Sequence, residues 1–240
     1  MSGHSRWSQI KRQKGVQDAK RGTLFTKLGK TLTVTARAGG VNPATNERLR
    51  LAIDQARSLN MPNTNIERAI KRGTGELNDG EIIEEVVYEG YGPGGAAIMI
   101  QVLTNNKNRT IADLRHIFSR HGGNLATQNS VNWMFESRGV ITIDVSGNDN
   151  EEIQLAAIDA GAEDVEEGSP ETIIYTTPTD LKKVSDALTA KKYKIIETAI
   201  ELVAKNKLAV NEGDSKKLEK LLADLQANED VNNFYTNAEA

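Results

Sequence analysis

The chain has 240 residues, of which 26% are charged and 38% hydrophobic, and it contains no cysteine. The lack of cysteine excludes disulfide bonds, thiolate metal sites and cysteine nucleophiles. No apolar run reaches the ~18 residues of a membrane span, and no signal-peptide core precedes the first helical pattern, so we expect a soluble, cytoplasmic protein.

The charge is divided unevenly along the chain. Up to Gly75 there are 15 Lys and Arg against 4 Asp and Glu, a net charge of +11. From Glu76 onward there are 15 basic against 29 acidic residues, a net charge of −14, and the two parts sum to the formal −3 of the chain. Concentrated cationic surface neutralises phosphates and releases counterions, which favours a nucleic-acid partner for the first third over a merely solvated basic face.

The chain begins with a polar, basic segment over residues 1–15 that has no apolar periodicity and is interpreted as an arm. Apolar residues at every fourth position then predict an amphipathic helix from Gln17 to Ala38. The β-branched residues at 31 and 33–35 disfavour that helix, because they lose rotamer freedom in it. The apolar stripe consists of Leu24, Leu28, Leu32 and Ala36.

Two shorter helices follow in the basic third. Asn42 is the predicted N-cap of the second, with Pro43 at its first helical position. A capping box formed by Thr64 and Glu67 predicts the start of the third, which ends at Gly73. The predicted buried face of the second helix is Leu49, Ala52, Ile53, Ala56 and Leu59.

The pattern becomes β-rich after residue 80. Residues 84–91 and 96–103 predict two strands of a hairpin, joined by the glycine-rich turn 92–95. A helix capped by Thr110 and a strand near 131–135 follow. The turn lacks the spacing and the Lys-Ser/Thr ending of a phosphate-binding loop.

Residues 139–205 predict a βαββαβ order, which is ferredoxin-like. A strand at 208–210, a helix capped by Asp214 and a last strand at 231–235 complete the chain. We therefore expect an α+β protein with a basic three-helix domain followed by two α+β domains, the second inserted in the first. The predicted domains are 1–78, then 79–136 together with 206–240, and the inserted ferredoxin-like 137–205.

The arm and the first helix contain the candidate nucleic-acid-binding residues. Cations contact phosphates, and the indole of Trp7 either stacks on an unpaired base or packs the arm against the helices. Lys20, Lys27 and Lys30 fall on one side of the first helix, where they can follow one phosphate backbone. The candidates are His4, Arg6, Trp7, Lys11, Arg12, Lys14, Lys20, Arg21, Lys27, Lys30 and Arg37.

Several other positions are weaker candidates. Lys71 and Arg72 lie in the last turn of the third helix, where the helix dipole already favours cations. The segment 105–110 starts a helix and is either an anion contact or a capping loop. The three histidines, His4, His116 and His121, do not have the spacing of a metal site, and no nucleophile, acid/base pair or metal set is recognisable. We expect no enzyme activity, no cofactor, no metal and no small-molecule substrate.

Short motifs along nearly the whole chain resemble the YebC/PmpR family, which includes mitochondrial translational activators of cytochrome c oxidase. The resemblance implies three domains around a cleft and a non-enzymatic regulator of gene expression, described both as a DNA-binding transcriptional regulator and as a ribosome-associated translation factor. The motifs include Gly-His-Ser-Arg-Trp at residues 3–7, Ile-Glu-Arg-Ala-Ile-Lys-Arg-Gly at 66–73, Tyr-Glu-Gly-Tyr-Gly-Pro-Gly-Gly at 88–95 and Gly-Ala-Glu-Asp-Val at 161–165.

Three functions remain open from the sequence. A basic arm with one aromatic residue suits irregular RNA, which is recognised through shape, backbone and stacking, so a ribosome- or rRNA-associated translation factor is preferred. The alternative is a transcriptional regulator that binds double-stranded DNA, although no helix-turn-helix signature or dimerisation stripe is recognisable. The third is an interaction module whose acidic domains bind protein. We expect a monomer without membrane contact.

Overall fold

A computed structural model describes residues 18–77, 82–146 and 149–239. The helices are α1 Asp18–Gly39, α2 Glu47–Ser58, α3 Asn63–Gly73, α4 Lys107–Arg120, α5 Asn150–Ala160, α6 Leu181–Ala190 and α7 Glu212–Ala227. The strands are β1 Glu84–Tyr91, β2 Ala97–Thr104, β3 Asn124–Leu125, β4 Phe135–Asp144, β5 Asp164–Glu166, β6 Glu171–Thr176, β7 Lys194–Ala204, β8 Leu208–Ala209, β9 Val231–Thr236 and β10 Ala238–Glu239.

Helix α1 is buried on more than one side, which explains why it tolerates its β-branched residues. Leu28, Leu32 and Ala36 pack in the core of the helical bundle, whereas Val34 packs against Ile83 and Leu103 of the following sheet region. Each of three threonine hydroxyls along the helix has the carbonyl four residues earlier within hydrogen-bond distance, so each has an acceptor inside α1. The predicted helix is therefore confirmed.

Helix α3 lies close against α1. The Thr33 hydroxyl donates to the Ala69 carbonyl at 3.0 Å and is fully buried. A Cβ at Gly73 would stand 2.4 Å from the Thr33 carbonyl oxygen, so only glycine fits this crossing. The buried residues of α3 are Ile66, Ala69 and Gly73, and the opposite side of the helix faces solvent.

The caps differ from those predicted. Helix α2 starts four residues later than Pro43 suggests, because Asn46 is its N-cap and accepts from the Leu49 amide. The Nδ2 of Asn46 also donates to the carbonyls of Thr35 and Gly40, at 2.9 and 2.7 Å, so one buried amide joins the end of α1 to the start of α2.

Three further caps are also displaced from the predicted residues. Pro62 precedes α3 without a side-chain cap, and Thr64 lies inside the helix. Asn106, rather than Thr110, caps α4, and Asn211, rather than Asp214, caps α7. In α4 and α7 an asparagine three or four positions upstream of the predicted cap accepts from the first amides, so the predicted residue is already helical.

The first sheet has the strand order β3-β1-β2-β9. Strands β1 and β2 pair antiparallel as the predicted hairpin, and the turn between them contains Gly94 and Gly95 at φ 71° and 78°. The prediction of a strand near 131–135 is wrong, because residues 132–134 form a short 3-10 turn and the third strand of this sheet is β3. The last strand, β9, joins the sheet beside β2.

The second sheet has the order β5-β6-β4-β7, and its neighbouring strands are antiparallel. With α5 after β4 and α6 after β6, this is the ferredoxin-like arrangement, and the prediction is confirmed. The strand at 208 does not join the first sheet; β8 pairs in parallel with β10 instead. The α+β fold class is confirmed.

The chain forms two compact units. One contains the described residues up to Val131 together with Asn211–Phe234, and the other contains Asn132–Val210 with the residues from Tyr235 onward. The second unit thus interrupts the first in sequence. The finer boundaries at 78/79 and 136/137, which define three domains, stay a prediction. No helix in the described part of the chain is long and apolar enough to cross a membrane.

Candidate nucleic-acid interface

The structure describes only part of the predicted interface. The arm residues lie outside the described residues: His4, Arg6, Trp7, Lys11, Arg12 and Lys14. Lys20 and Arg21 belong to the described backbone of α1, but their side chains are outside the described part. The geometry of the interface therefore concerns α1 from residue 22 onward and the helices that follow.

Lys27 and Lys30 lie on the same side of α1, as predicted, but both are bonded within the chain. The ammonium of Lys27 donates to the Gln226 carbonyl at 2.7 Å. Burial, together with the nearby charge of Lys30, lowers the pKa of Lys27 to about 8. The ammonium of Lys30 lies 2.7 Å from Asp230 Oδ1. A phosphate contact by either lysine would have to replace these partners, and it stays a prediction.

Asp230 is the acceptor at the centre of a buried network, with its side chain only 5% exposed. Its Oδ2 lies 2.7 Å from Arg109 Nη2 and accepts from the Thr110 hydroxyl at 2.7 Å. Thr104 donates to the same oxygen at 3.3 Å. Burial alone would raise the pKa of Asp230, but the hydrogen bonds from Lys30, Arg109 and Thr110 outweigh it and lower the pKa to about 2.

A cleft of about 490 Å³ opens beside this network. Its two cations, Lys30 and Arg109, are both paired with Asp230. Its walls also contain the carboxylates of Asp113 and Glu229. Because the acids outnumber the cations, the cleft does not attract a polyanion. The sequence contains no signal that identifies Asp230 as the buried acceptor of this network.

The remaining cations of the helical region divide into two groups. Arg37 donates to the Ile83 carbonyl at 3.0 Å, and Arg48 is paired with Glu85 at 2.8 Å. Arg50 is paired with Glu47 and with Asp54. By contrast, the exposed side chains of Arg57, Arg68 and Lys71 make no hydrogen bond or ion pair with any residue that the structure describes.

The described residues contain no group of three or more metal-ligating side chains in a metal-binding arrangement. One histidine is paired: His121 Nε2 lies 2.7 Å from Asp224 Oδ2, with Arg120 at 3.6 Å from the same carboxylate. This pair links the end of α4 to α7. No nucleophile is hydrogen-bonded to it among the described residues, so it is a hydrogen-bonded contact between two helices.

Comparisons with known proteins match almost the whole chain. The model of the TACO1/YebC protein N-terminal domain matches residues 5–76, and the model of the TACO1/YebC second and third domain matches residues 83–238. A "Probable transcriptional regulatory protein" from Syntrophus aciditrophicus is 48% identical over 99% of this chain and 95% of its own length. A similarly named protein from Thermoanaerobacter pseudethanolicus is 47% identical over 100% and 97%.

A solved structure agrees with the fold. The crystal structure of a conserved hypothetical protein from Aquifex aeolicus matches with a TM-score of 0.85 and 44% sequence identity, over 92% of this chain and 91% of that chain. The chain belongs to the TACO1/YebC family.

Proposed function

We propose that the protein is a non-enzymatic regulator of gene expression that binds nucleic acid, with ribosomal RNA or the ribosome as its partner. The observation that carries this proposal is the net charge of +11 in the first 75 residues, beside −14 in the rest. Such a segment attracts phosphate backbones, while the acidic remainder limits indiscriminate binding to polyanions. The protein acts as a monomer in this proposal.

Two features favour RNA over duplex DNA. The arm combines cations with the single aromatic residue Trp7, and an indole stacks on unpaired bases, which loops of RNA present and a duplex does not. Operator recognition is usually symmetric, and the sequence contains no recognisable dimerisation stripe. In this proposal the arm residues are joined by Lys20 and Arg21 of α1.

The second candidate function is a transcriptional regulator that binds double-stranded DNA. It is favoured by the names of the relatives from Syntrophus aciditrophicus and Thermoanaerobacter pseudethanolicus, both called probable transcriptional regulatory proteins. Both candidates use the same basic segment, so phosphate contacts alone do not distinguish them. The distinction lies in base stacking and in the nucleic acid that is bound in cells.

Ultraviolet crosslinking in cells, followed by sequencing of the attached nucleic acid, tests the proposal. Enrichment of ribosomal RNA over total RNA supports the translation function. Enrichment of promoter DNA supports the second candidate instead. A crosslink yield equal to that of a variant with Lys11, Arg12 and Lys14 replaced by Ala would contradict nucleic-acid binding through the arm.

The variant Trp7→Ala separates stacking from phosphate contact. Loss of one stacked base costs about 1–3 kcal/mol on a hairpin RNA with an unpaired loop. The slope of log K against log salt stays unchanged, because no cation is removed. Equal weakening on duplex DNA, with the fold intact, would contradict the preference for RNA. A lower melting temperature with unchanged binding would place Trp7 in the core.

A further inference from the structure

The cations of the basic third differ in whether their side chains are bonded within the folded chain. Among residues 22–77, the cationic side chains of five residues are bonded to backbone carbonyls or carboxylates of the same chain, and Arg72 also interacts within the chain. They are therefore already neutralised or fixed before any ligand arrives. These five are Lys27, Lys30, Arg37, Arg48 and Arg50.

The cationic side chains without a hydrogen bond or ion pair to a described residue lie at the end of α2 and on α3. Arg57 is in the last turn of α2, and Arg68 and Lys71 lie three residues apart on α3. All three are exposed. Side chains three apart on a helix have Cβ atoms about 5–6 Å from each other, so Arg68 and Lys71 can reach the same phosphate backbone.

The outer side of α3 is fixed by the packing of its inner side. Ile66, Ala69 and Gly73 are buried, with Ala69 and Gly73 in direct contact with Thr33 of α1. Because only glycine fits at position 73, the helix has no freedom to turn its buried side outward. The opposite side therefore presents Arg68 and Lys71 to solvent in a rigid frame.

The helix dipole does not account for this surface. Cations in the last turn of a helix are favoured by the dipole, which applies to Lys71, but Arg68 lies in the second turn, where the effect has fallen off. The neighbouring exposed residues on this side include Thr64 and Asn65, which can donate hydrogen bonds to phosphate oxygens. Glu67 is the one carboxylate within α3.

We propose that the outer side of α3, with Arg68 and Lys71 at its centre, is a phosphate-backbone contact surface. The proposal rests on the proposed function, and it names the part of the folded chain that carries the contact. It assigns the contact to α3 rather than to the α1 lysines Lys27 and Lys30. Binding through this surface is independent of base sequence, since it involves the backbone alone.

The test compares two double variants of the full chain on a hairpin RNA and on a duplex DNA. R68A/K71A should weaken binding about tenfold near physiological salt and make the slope of log K against log salt shallower by about two, one per lost contact. K183A/K191A removes the same charge from two exposed lysines of the ferredoxin-like region whose side chains have no hydrogen bond or ion pair with a described residue, and it should change neither quantity. R68K/K71R should keep most of the affinity.

A third variant separates this inference from the proposed function. This variant has Lys11, Arg12 and Lys14 of the arm replaced by Ala. If it loses binding while R68A/K71A binds like wild type, the proposed function stands and the α3 surface is overturned. Equal losses in R68A/K71A and K183A/K191A would also overturn it, because they would indicate a general charge effect. No binding of either nucleic acid by the wild-type chain would overturn both.

Discussion

The lysines of α1 and the cations of α3 belong to the same basic third, yet the fold treats them differently. Lys27 and Lys30 are largely withdrawn from solvent, one on a backbone carbonyl and the other on a buried carboxylate. Arg68 and Lys71 are exposed and have no partner among the described residues. In sequence the two pairs look alike.

The difference shows that a count of charges is not a count of available charges. A lysine bonded to a carboxylate of its own chain contributes little to the attraction of a phosphate, because the nearby negative charge cancels it. The acid that cancels Lys30 is 200 residues away in sequence. Local sequence patterns therefore cannot identify which cations are paired with acids in the folded chain.

The largest loss of stability is expected on replacing Asp230, the carboxylate that binds Lys30 of α1. Asp230→Ala leaves Lys30 and the half-exposed Arg109 without their shared carboxylate and should lower the free energy of unfolding by about 3 kcal/mol, the upper range for a lost hydrogen bond to a charged group. Denaturant unfolding measures this. Because the pKa of Asp230 is lowered to about 2, its contribution is present above its ordinary pKa near 4 and is lost as the pH falls toward 2. A loss below 1 kcal/mol would contradict the network.

A smaller loss of stability is expected at the joint between α1 and α2. Asn46→Ala removes the α2 cap and leaves the buried carbonyls of Thr35 and Gly40 without their donor, which should cost about 2 kcal/mol. Asn42→Ala, at the exposed residue that the sequence favours as the cap, is the matched control and should cost much less. Equal losses in thermal unfolding would contradict the position of the cap.

Lys27 offers a test by pH. Its pKa in the folded chain, about 8, is below the ordinary 10.5, so the unfolded chain binds more protons between these values. Stability should therefore rise as the pH increases from about 8 to about 10.5. In Lys27→Met this rise should be weaker, since the titrating group is gone. The same pH dependence in both proteins would show that Lys27 is not desolvated.

The smallest effect on stability is expected on the α3 side. R68A/K71A removes exposed side chains without partners, so the free energy of unfolding should change by less than about 0.5 kcal/mol. Circular dichroism against temperature measures it beside wild type. A loss of 2 kcal/mol or more would mean that these cations stabilise the fold, and the contrast with α1 would disappear.

Periodicity predicted most of the fold. The βαββαβ order of residues 135–204 has a regular alternation of apolar strands and amphipathic helices, so both its elements and its class were predictable. The helix caps were not predictable. Asn42 and Asn46 are equally good caps locally, and the choice depends on the carbonyls of Thr35 and Gly40, to which Asn46 donates. Strand β8 was placed in the wrong sheet, since a two-residue strand has no pattern of its own.

The boundary of the helical third was also not predictable from local sequence. A composition break predicts a domain ending at residue 78, but Val34 of α1 packs against Ile83 and Leu103 beyond it. Contacts between distant parts of the chain leave no local trace in sequence. The same reason hides Asp230, whose partners Lys30 and Arg109 lie on two other elements.

Lysine labelling in the full-length protein tests the central contrast most directly. The rate of acylation of each lysine is measured by mass spectrometry with and without a saturating hairpin RNA. RNA should slow labelling of Lys71 and leave the rates of Lys27, Lys30 and the distant Lys191 unchanged. Protection of Lys27 and Lys30 with no protection of Lys71 would contradict this contrast.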